Sequence, residues 1–97
     1  MSNNKKLNNI RKKLDQIDDK IIKTLRIRSK LIKQIGEIKK KLKLPIRNPQ
    51  REKLILKKLK NKYEKRIFSK ILLESRKLQA HYVVSRISSA PPERKGM

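Results

Sequence analysis

Apolar side chains recur along residues 7–42 at alternating steps of three and four residues. The positions on this seam are Leu7, Ile10, Leu14, Ile17, Ile21, Thr24, Arg28, Leu31, Ile35, Ile38 and Leu42. Such spacing predicts one long amphipathic helix whose seam packs on a partner. Arg28 interrupts the apolar run, and burying an unpaired charge is costly. Arg28 therefore requires either a buried acid or a bound anion.

Proline and asparagine mark the boundaries that follow this helix. Pro45 disfavours helical geometry at Leu44, so the first helix is expected to end just before the loop LPIRNPQRE. Asn48 is a typical N-cap residue, and Pro49 suits the first helical position, where its missing N–H is harmless. The pattern predicts a second helix from Pro49 to about Lys60.

A third helix is predicted from Tyr63, after a short break at residues 61–62. Inward-facing positions on the second and third helices are expected to be Leu54, Ile55, Leu59, Ile67, Phe68, Ile71, Leu72, Ser75, Leu78, Gln79 and Tyr82. The chain thus divides into a disordered N-terminus over residues 1–6, an all-α domain over residues 7–87 and a disordered basic tail over residues 88–97. The domain has a long, a short and a medium helix.

Composition adds an expectation about partners. Only 35% of the 97 residues are hydrophobic and 39% are charged, so a lone chain would bury a thin core and an oligomer is expected. The formal charge of +22 indicates an anionic partner, and non-specific nucleic-acid binding is one interpretation. The chain has no Cys, no signal-like apolar stretch and no run of ~20 apolar residues. We expect a cytoplasmic protein without membrane contact.

Cations are the chemically useful side chains of this sequence. His81 is the single histidine, and neither a catalytic triad nor a metal-ligand cluster is visible, so no metal or cofactor is expected. Arg28 and Lys39 share a helix face about 16 Å apart. Arg11 lies about 25 Å before Arg28 and joins the other two only if a second copy of the helix crosses antiparallel. The competing interpretation is that Arg11 and Lys39 are solvated charges.

Polar or small residues also occupy helix faces where apolar ones are expected. Ser75 and Gln79 lie four residues apart on the apolar face of the third helix, which suits either ligand recognition or a satisfied core Ser with a rim Gln. Gly36 costs about 1 kcal/mol relative to Ala within a helix. It indicates either a close approach by a backbone or ligand, or a tolerated surface glycine. Glu52, beside Arg51, could simply serve the dipole of the second helix.

Three segments together resemble the all-helical chorismate mutases over roughly residues 7–82. They are IRKKLDQIDDKIIKTLRIRSKLIKQIGEIKK, LPIRNPQREK and ILLESRKLQ, in that order. The resemblance implies an intertwined homodimer of three-helix subunits that converts chorismate to prephenate in phenylalanine and tyrosine biosynthesis. The reaction is an intramolecular Claisen rearrangement, which requires neither a nucleophile nor a proton transfer. The resemblance also implies that Lys39 and Gln79 donate to the breaking ether oxygen and that Arg28 holds a carboxylate.

Further binding residues follow from the same resemblance. Arg11 is expected to reach the second carboxylate of chorismate from the other subunit, while Arg51 and Ser75 complete the carboxylate contacts. Glu52 and the backbone at Asn48 are expected to fix the ring hydroxyl. Asn48 stands where members often have Asp, so no carboxylate role remains there.

Two alternatives stay open at this point. Isochorismate-pyruvate lyases resemble the same helical scaffold and also use a cation-lined pocket. A basic helical nucleic-acid-binding protein is the alternative from a different class, and its affinity for duplex DNA would fall steeply with salt.

Overall fold

The computed structural model describes the backbone of residues 2–87 and the side chains of residues 2–82. Three helices account for most of this part of the chain: α1 (Asn3–Leu42), α2 (Pro49–Leu56) and α3 (Lys62–Ile87). Residues 2–87 contain no strand. The predicted all-α class with three helices is confirmed, whereas the predicted tail over residues 88–97 lies outside the described residues.

Helix α1 begins at Asn3, four residues before the predicted start near Leu7. Ser2 explains the difference, because its Oγ accepts a hydrogen bond from the backbone N–H of Lys5 at 3.3 Å. This is the arrangement of an N-cap, which satisfies a donor that the helix leaves open at its first turn. The frayed start predicted over residues 1–6 is therefore helical from Asn3 onward.

Helix α2 begins as predicted and ends early. Asn48 is its N-cap, with Oδ1 accepting from the backbone N–H of Arg51 at 3.1 Å, and Pro49 takes the first helical position. The helix ends at Leu56 instead of near Lys60. The following residues are taken up by a turn and by the start of α3.

The start of α3 shows why α2 stops. Asn61 Oδ1 accepts from the backbone N–H of Glu64 at 2.9 Å, and Glu64 Oε1 accepts from the backbone N–H of Lys60 at 2.8 Å. This closely resembles a capping box. In that motif, the side chain of the cap residue accepts a hydrogen bond from the backbone N–H three residues later, and the acid at that later position accepts one from a backbone N–H at the cap. The tetrapeptide Asn-Lys-Tyr-Glu carries that signal in the sequence.

Packing divides the chain into two units, one ending at Lys30 and the other beginning at Leu31. In the first unit, the apolar members of the α1 seam are exposed: Leu7, Ile10, Leu14, Ile17 and Ile21. None of the described helices combines the length and the apolarity that a bilayer crossing requires.

The second unit contains a small core between the end of α1 and α3. Among the described side chains, Ile32 and Leu72 are its buried apolar members, and Ser75 and Gln79 are buried beside them. Two inward predictions are wrong for this chain: Leu54 is 62% exposed and Ile67 is also exposed. Single apolar side chains on the surface are common in folded proteins, so their exposure in the single chain requires no special cause.

Candidate active site

Lys39, in the last turn of α1, meets Gln79 of α3. The Lys39 Nζ donates a hydrogen bond to Gln79 Oε1 at 2.8 Å and another to the backbone carbonyl of Ile46. Gln79 is only 6% exposed, and Lys39 is half-buried. An ammonium group is therefore held by two neutral acceptors. The amide oxygen of Gln79 faces the lysine, so its NH₂ group is directed elsewhere.

The end of α1 turns the chain so that the backbone carbonyl of Ile46 accepts a hydrogen bond from Lys39. Lys43 has a positive φ of 57°, and the N–H of Leu44 bonds to the carbonyl of Lys39 at 2.9 Å. The N–H of Lys43 bonds to the carbonyl of Lys40 at 3.3 Å. These two bonds form a Schellman motif, which reverses the chain direction after a helix. Lys39 is thus tied to the link through both its carbonyl and its side chain.

Burial sets the electrostatics of Lys39. Loss of hydration lowers the pKa of its ammonium group, the carboxylate of Glu52 opposes this by raising the pKa, and the guanidinium of Arg51 adds to the lowering. A partly desolvated cation interacts more strongly with a negative charge than a hydrated one does. The lysine is therefore suited to stabilising charge that appears on a bound molecule.

Glu52, in the first turn of α2, is held by two arginines that the sequence interpretation missed. Arg76 Nη1 donates to Glu52 Oε2 at 2.7 Å, and Arg47 Nε donates to Glu52 Oε1 at 3.3 Å. Partial burial raises the pKa of Glu52, but the two arginine hydrogen bonds outweigh it and hold that pKa below its ordinary value. A signal for Arg76 existed, because it falls four residues after Leu72 and three before Gln79, on the apolar face of α3.

Ser75 and Gly36 line the same part of the second unit. Ser75 is 6% exposed, and its Oγ donates to the carbonyl of Ile71 at 2.6 Å. A Cβ added at Gly36 would lie 3.4 Å from both the Cα and the carbonyl oxygen of Gln79. Of the interpretations left open for Gly36, close approach by a backbone is the one that the structure supports. A methyl group would just reach van der Waals contact with Gln79, so a side chain larger than that of alanine would not fit between α1 and α3.

An open cleft of about 520 Å³ borders this cluster. It is lined by residues of the α1 end and the link: Lys39, Leu44, Pro45, Arg47, Asn48, Pro49 and Gln50. The volume falls in the range of small-molecule sites. Two cations, Lys39 and Arg47, favour an anionic ligand there.

The eight predicted site residues fall into two groups. Six of them belong to the second unit: Lys39, Asn48, Arg51, Glu52, Ser75 and Gln79. Arg11 and Arg28 belong to the first unit, where Arg11 is exposed and Arg28 is half-buried. Within the second unit, the direct contact between Lys39 and Gln79 joins residues that are 40 positions apart in the chain.

The fold places the chain among the all-α proteins, and a partly desolvated lysine, a buried amide and a basic cleft are typical of a site for a small anionic molecule. The particular family follows from sequence comparison. The model of the family described as chorismate mutase type II matches residues 10–80, and the chain belongs to that family. The resemblance found in the three sequence segments is thereby confirmed.

Two relatives show how far the similarity extends. The chain is 52% identical over 50 residues to a chorismate mutase of Methanocaldococcus jannaschii, a segment that covers 52% of this chain and 50% of that protein. It is 49% identical over 53 residues to a bifunctional chorismate mutase/prephenate dehydratase of Aquifex aeolicus, covering 55% of this chain and 15% of that protein. The matched segment thus spans half or less of each relative's length. No solved structure matches the chain.

Proposed function

We propose that this chain catalyses the rearrangement of chorismate to prephenate. The observation that carries the proposal is the 2.8 Å contact between Lys39 Nζ and Gln79 Oε1 beside a basic cleft. The resemblance to the family implies that these two side chains donate to the ether oxygen of chorismate, and the fold brings them together from α1 and α3. Their contact supports that assignment because two donors to one atom must be neighbours.

The rearrangement requires that the protein orient its substrate and stabilise developing charge. Chorismate must be held in its compact diaxial form, and negative charge that develops on the ether oxygen must be stabilised. Lys39 supplies a full positive charge in a partly desolvated setting, and the NH₂ group of Gln79 supplies a neutral donor. When chorismate enters, Gln79 turns this NH₂ group toward the ether oxygen while Lys39 exchanges one of its present acceptors for the same atom.

The remaining contacts hold the rest of the substrate. Arg28 and Arg11 of the partner subunit are assigned to the two carboxylates, since a guanidinium pairs with a carboxylate through two parallel hydrogen bonds. Arg51 and Ser75 add to these contacts. Glu52 accepts the hydrogen bond of the ring hydroxyl, a role that requires an ionised carboxylate and agrees with its lowered pKa.

The proposed active form is an intertwined homodimer in which α1 crosses its partner antiparallel. The seam supports it, because apolar side chains of α1 from Leu7 to Leu42 remain exposed in the single chain. A stripe of this length in a charged chain is typical of a helix that packs on another helix. The dimer supplies Arg11 of the partner subunit to each site.

Turnover of chorismate by the purified chain tests the proposal directly. The expected result is prephenate formation that Arg28→Ala lowers by roughly a hundredfold or more, since two charge-assisted hydrogen bonds are lost. Arg26→Ala removes an exposed cation from the same helix and serves as the matched control. If the chain turns over isochorismate but not chorismate, it is a lyase and not the proposed mutase. Turnover of neither substrate would refute the proposal.

Subunit mixing tests the shared site. Arg11→Ala and Arg28→Ala chains are each expected to be inactive as homodimers. A heterodimer of the two has one site with both arginines, so random exchange should restore roughly a quarter of wild-type activity. Exchange confirmed by mass labelling without any recovered activity would show that Arg11 does not act across subunits.

A further inference from the structure

Glu52 ties together three parts of the second unit. Its own place is in the first turn of α2, its Oε2 accepts from Arg76 of α3, and its Oε1 accepts from Arg47 of the link. The carboxylate side chain is 14% exposed. Both oxygens of a nearly enclosed acid are therefore engaged by arginines.

The two arginines hold Glu52 unequally. The contact with Arg76 is 2.7 Å long and the Arg76 side chain is 29% exposed, whereas the contact with Arg47 is 3.3 Å long and that side chain is 64% exposed. Exposed ion pairs are weakened by hydration and by the entropy of ordering long side chains. Arg76 is thus the stronger constraint on the position of Glu52.

The position of Glu52 matters because its charge acts on Lys39. The charged groups that influence Lys39 come from α2: Glu52 favours the ammonium form and Arg51 disfavours it, while α3 contributes the neutral Gln79. Glu52 in turn contacts Arg47 from the link and Arg76 from α3, and its charge also acts on Lys39 of α1. Displacing this carboxylate would remove the charge that raises the pKa of Lys39 against the effect of its desolvation.

We propose that Arg76 is a positioning residue, which holds Glu52 beside Lys39 so that both keep the charge and the place that the reaction requires. Arg76 acts through Glu52 and does not touch the substrate. The inference rests on the proposed mutase function, since that function assigns donation to Lys39 and hydroxyl binding to Glu52. It adds a residue to the site that none of the sequence motifs assigned.

Substitution of Arg76 gives the first test. Arg76→Met keeps the length of the side chain and removes its charge, and it should lower kcat/KM at neutral pH by roughly tenfold to a hundredfold. Arg66→Met removes an exposed arginine from the same helix, α3, and as the matched control should change kcat/KM by less than about threefold. Arg76→Lys keeps the positive charge and should retain most of the wild-type activity. If Arg76→Met does not fold, Arg76→Gln removes the charge while keeping a donor and carries the same test.

A double substitution separates positioning from direct contact. In a Glu52→Gln background, Arg76→Met should have little further effect, because the group through which Arg76 acts has lost its charge. If the two losses in kcat/KM multiply in the double variant, Arg76 contacts substrate or supports the fold independently of Glu52. That result would overturn the inference.

Titration of Lys39 provides a readout that needs no turnover. In the full chain with isotopically labelled lysine, Arg76→Met should shift the Lys39 titration, followed by NMR, to lower pH, and Arg47→Met should shift it less. The alkaline limb of the kcat/KM profile should move in the same direction. An unchanged or raised Lys39 pKa would overturn the inference, whereas a wild-type chain without chorismate turnover would refute the proposed function and leave the titration to decide about Arg76.

Discussion

Gly36→Ala should stabilise the protein and leave turnover intact. The added Cβ would lie 3.4 Å from the Cα and carbonyl oxygen of Gln79 and 3.6 Å from the Cβ of Tyr82. These are ordinary van der Waals separations, so the methyl group fits without displacing α3. Replacing a helix-interior glycine by alanine contributes about 1 kcal/mol, and burial of the methyl adds at most about 0.8 kcal/mol. The expected gain is thus about 1–1.8 kcal/mol, and each kcal/mol corresponds to roughly 4–8 °C in Tm for a domain of this size.

Gly36→Val should have the opposite effect at the same site. Its γ-methyl groups extend beyond the Cβ into backbone atoms of Gln79, which cannot rotate away as a side chain could. Overpacking of this kind costs roughly 1–3 kcal/mol, and the shift of α3 lengthens the Lys39–Gln79 contact. A loss of kcat should therefore accompany the loss of stability.

Both variants are measured by urea unfolding and by chorismate turnover on the same preparations at one chain concentration, since dimer stability depends on concentration. Gln34→Ala and Gln34→Val are matched controls, because Gln34 is an exposed position of the same helix and reports propensity alone. Full stability and full kcat in Gly36→Val would refute the packing of Gly36 against Gln79, whereas destabilisation by Gly36→Ala would show that even a methyl group does not fit there.

Three further predictions concern the lysine and its helix end. Lys39→Met should lower kcat by roughly 10²–10³-fold, since one donor to the developing charge is lost, while the exposed control Lys41→Met should have little effect in the same assay. The kcat/KM profile should be flat through neutral pH, because the pKa of Glu52 lies below its ordinary 4.5, and should fall as alkaline pH passes the Lys39 pKa, which lies below 10.5. A sharp loss between about pH 6 and 8 would contradict this assignment of charges. Lys43→Gly should stabilise the chain by about 0.5–1 kcal/mol in urea unfolding, because Lys43 has a φ of 57° that glycine adopts without strain; a destabilised variant would exclude the Schellman geometry there.

Local backbone signals allowed most of the helix boundaries to be predicted. Pro45 and the pair Asn48–Pro49 act through fixed sterics and one capping hydrogen bond, so their consequences do not depend on tertiary packing. The break predicted at residues 61–62 coincides with the cap residue Asn61, but the turn that precedes this cap and ends α2 at Leu56 was not predicted. The cap residue Ser2 was likewise not predicted, so the predicted start of α1 near Leu7 lies four residues after the observed one.

The contact between residues of different helices was implied only by the resemblance, which gave Lys39 and Gln79 a shared role. Spacing along one helix indicated that Arg28 and Lys39 share a face, but it contains no information about which residue of α3 meets Lys39. Long-range pairing depends on the link geometry and on how closely two helices approach. Arg47 and Arg76 were missed for that reason, although a charge on the apolar face of α3 was visible in the sequence.

The termination of α1 holds a flexible lysine in one place, which suits the donor role that we propose for it. Lys39 lies at the third residue before the helix cap, where its carbonyl bonds to Leu44 and its ammonium bonds to Ile46. The link therefore restrains the backbone and the side-chain tip together, and Gln79 restrains the tip from α3. A donor that is already ordered loses little entropy when charge develops on the substrate. Residues that shape this helix end should consequently affect kcat even where they contact no substrate.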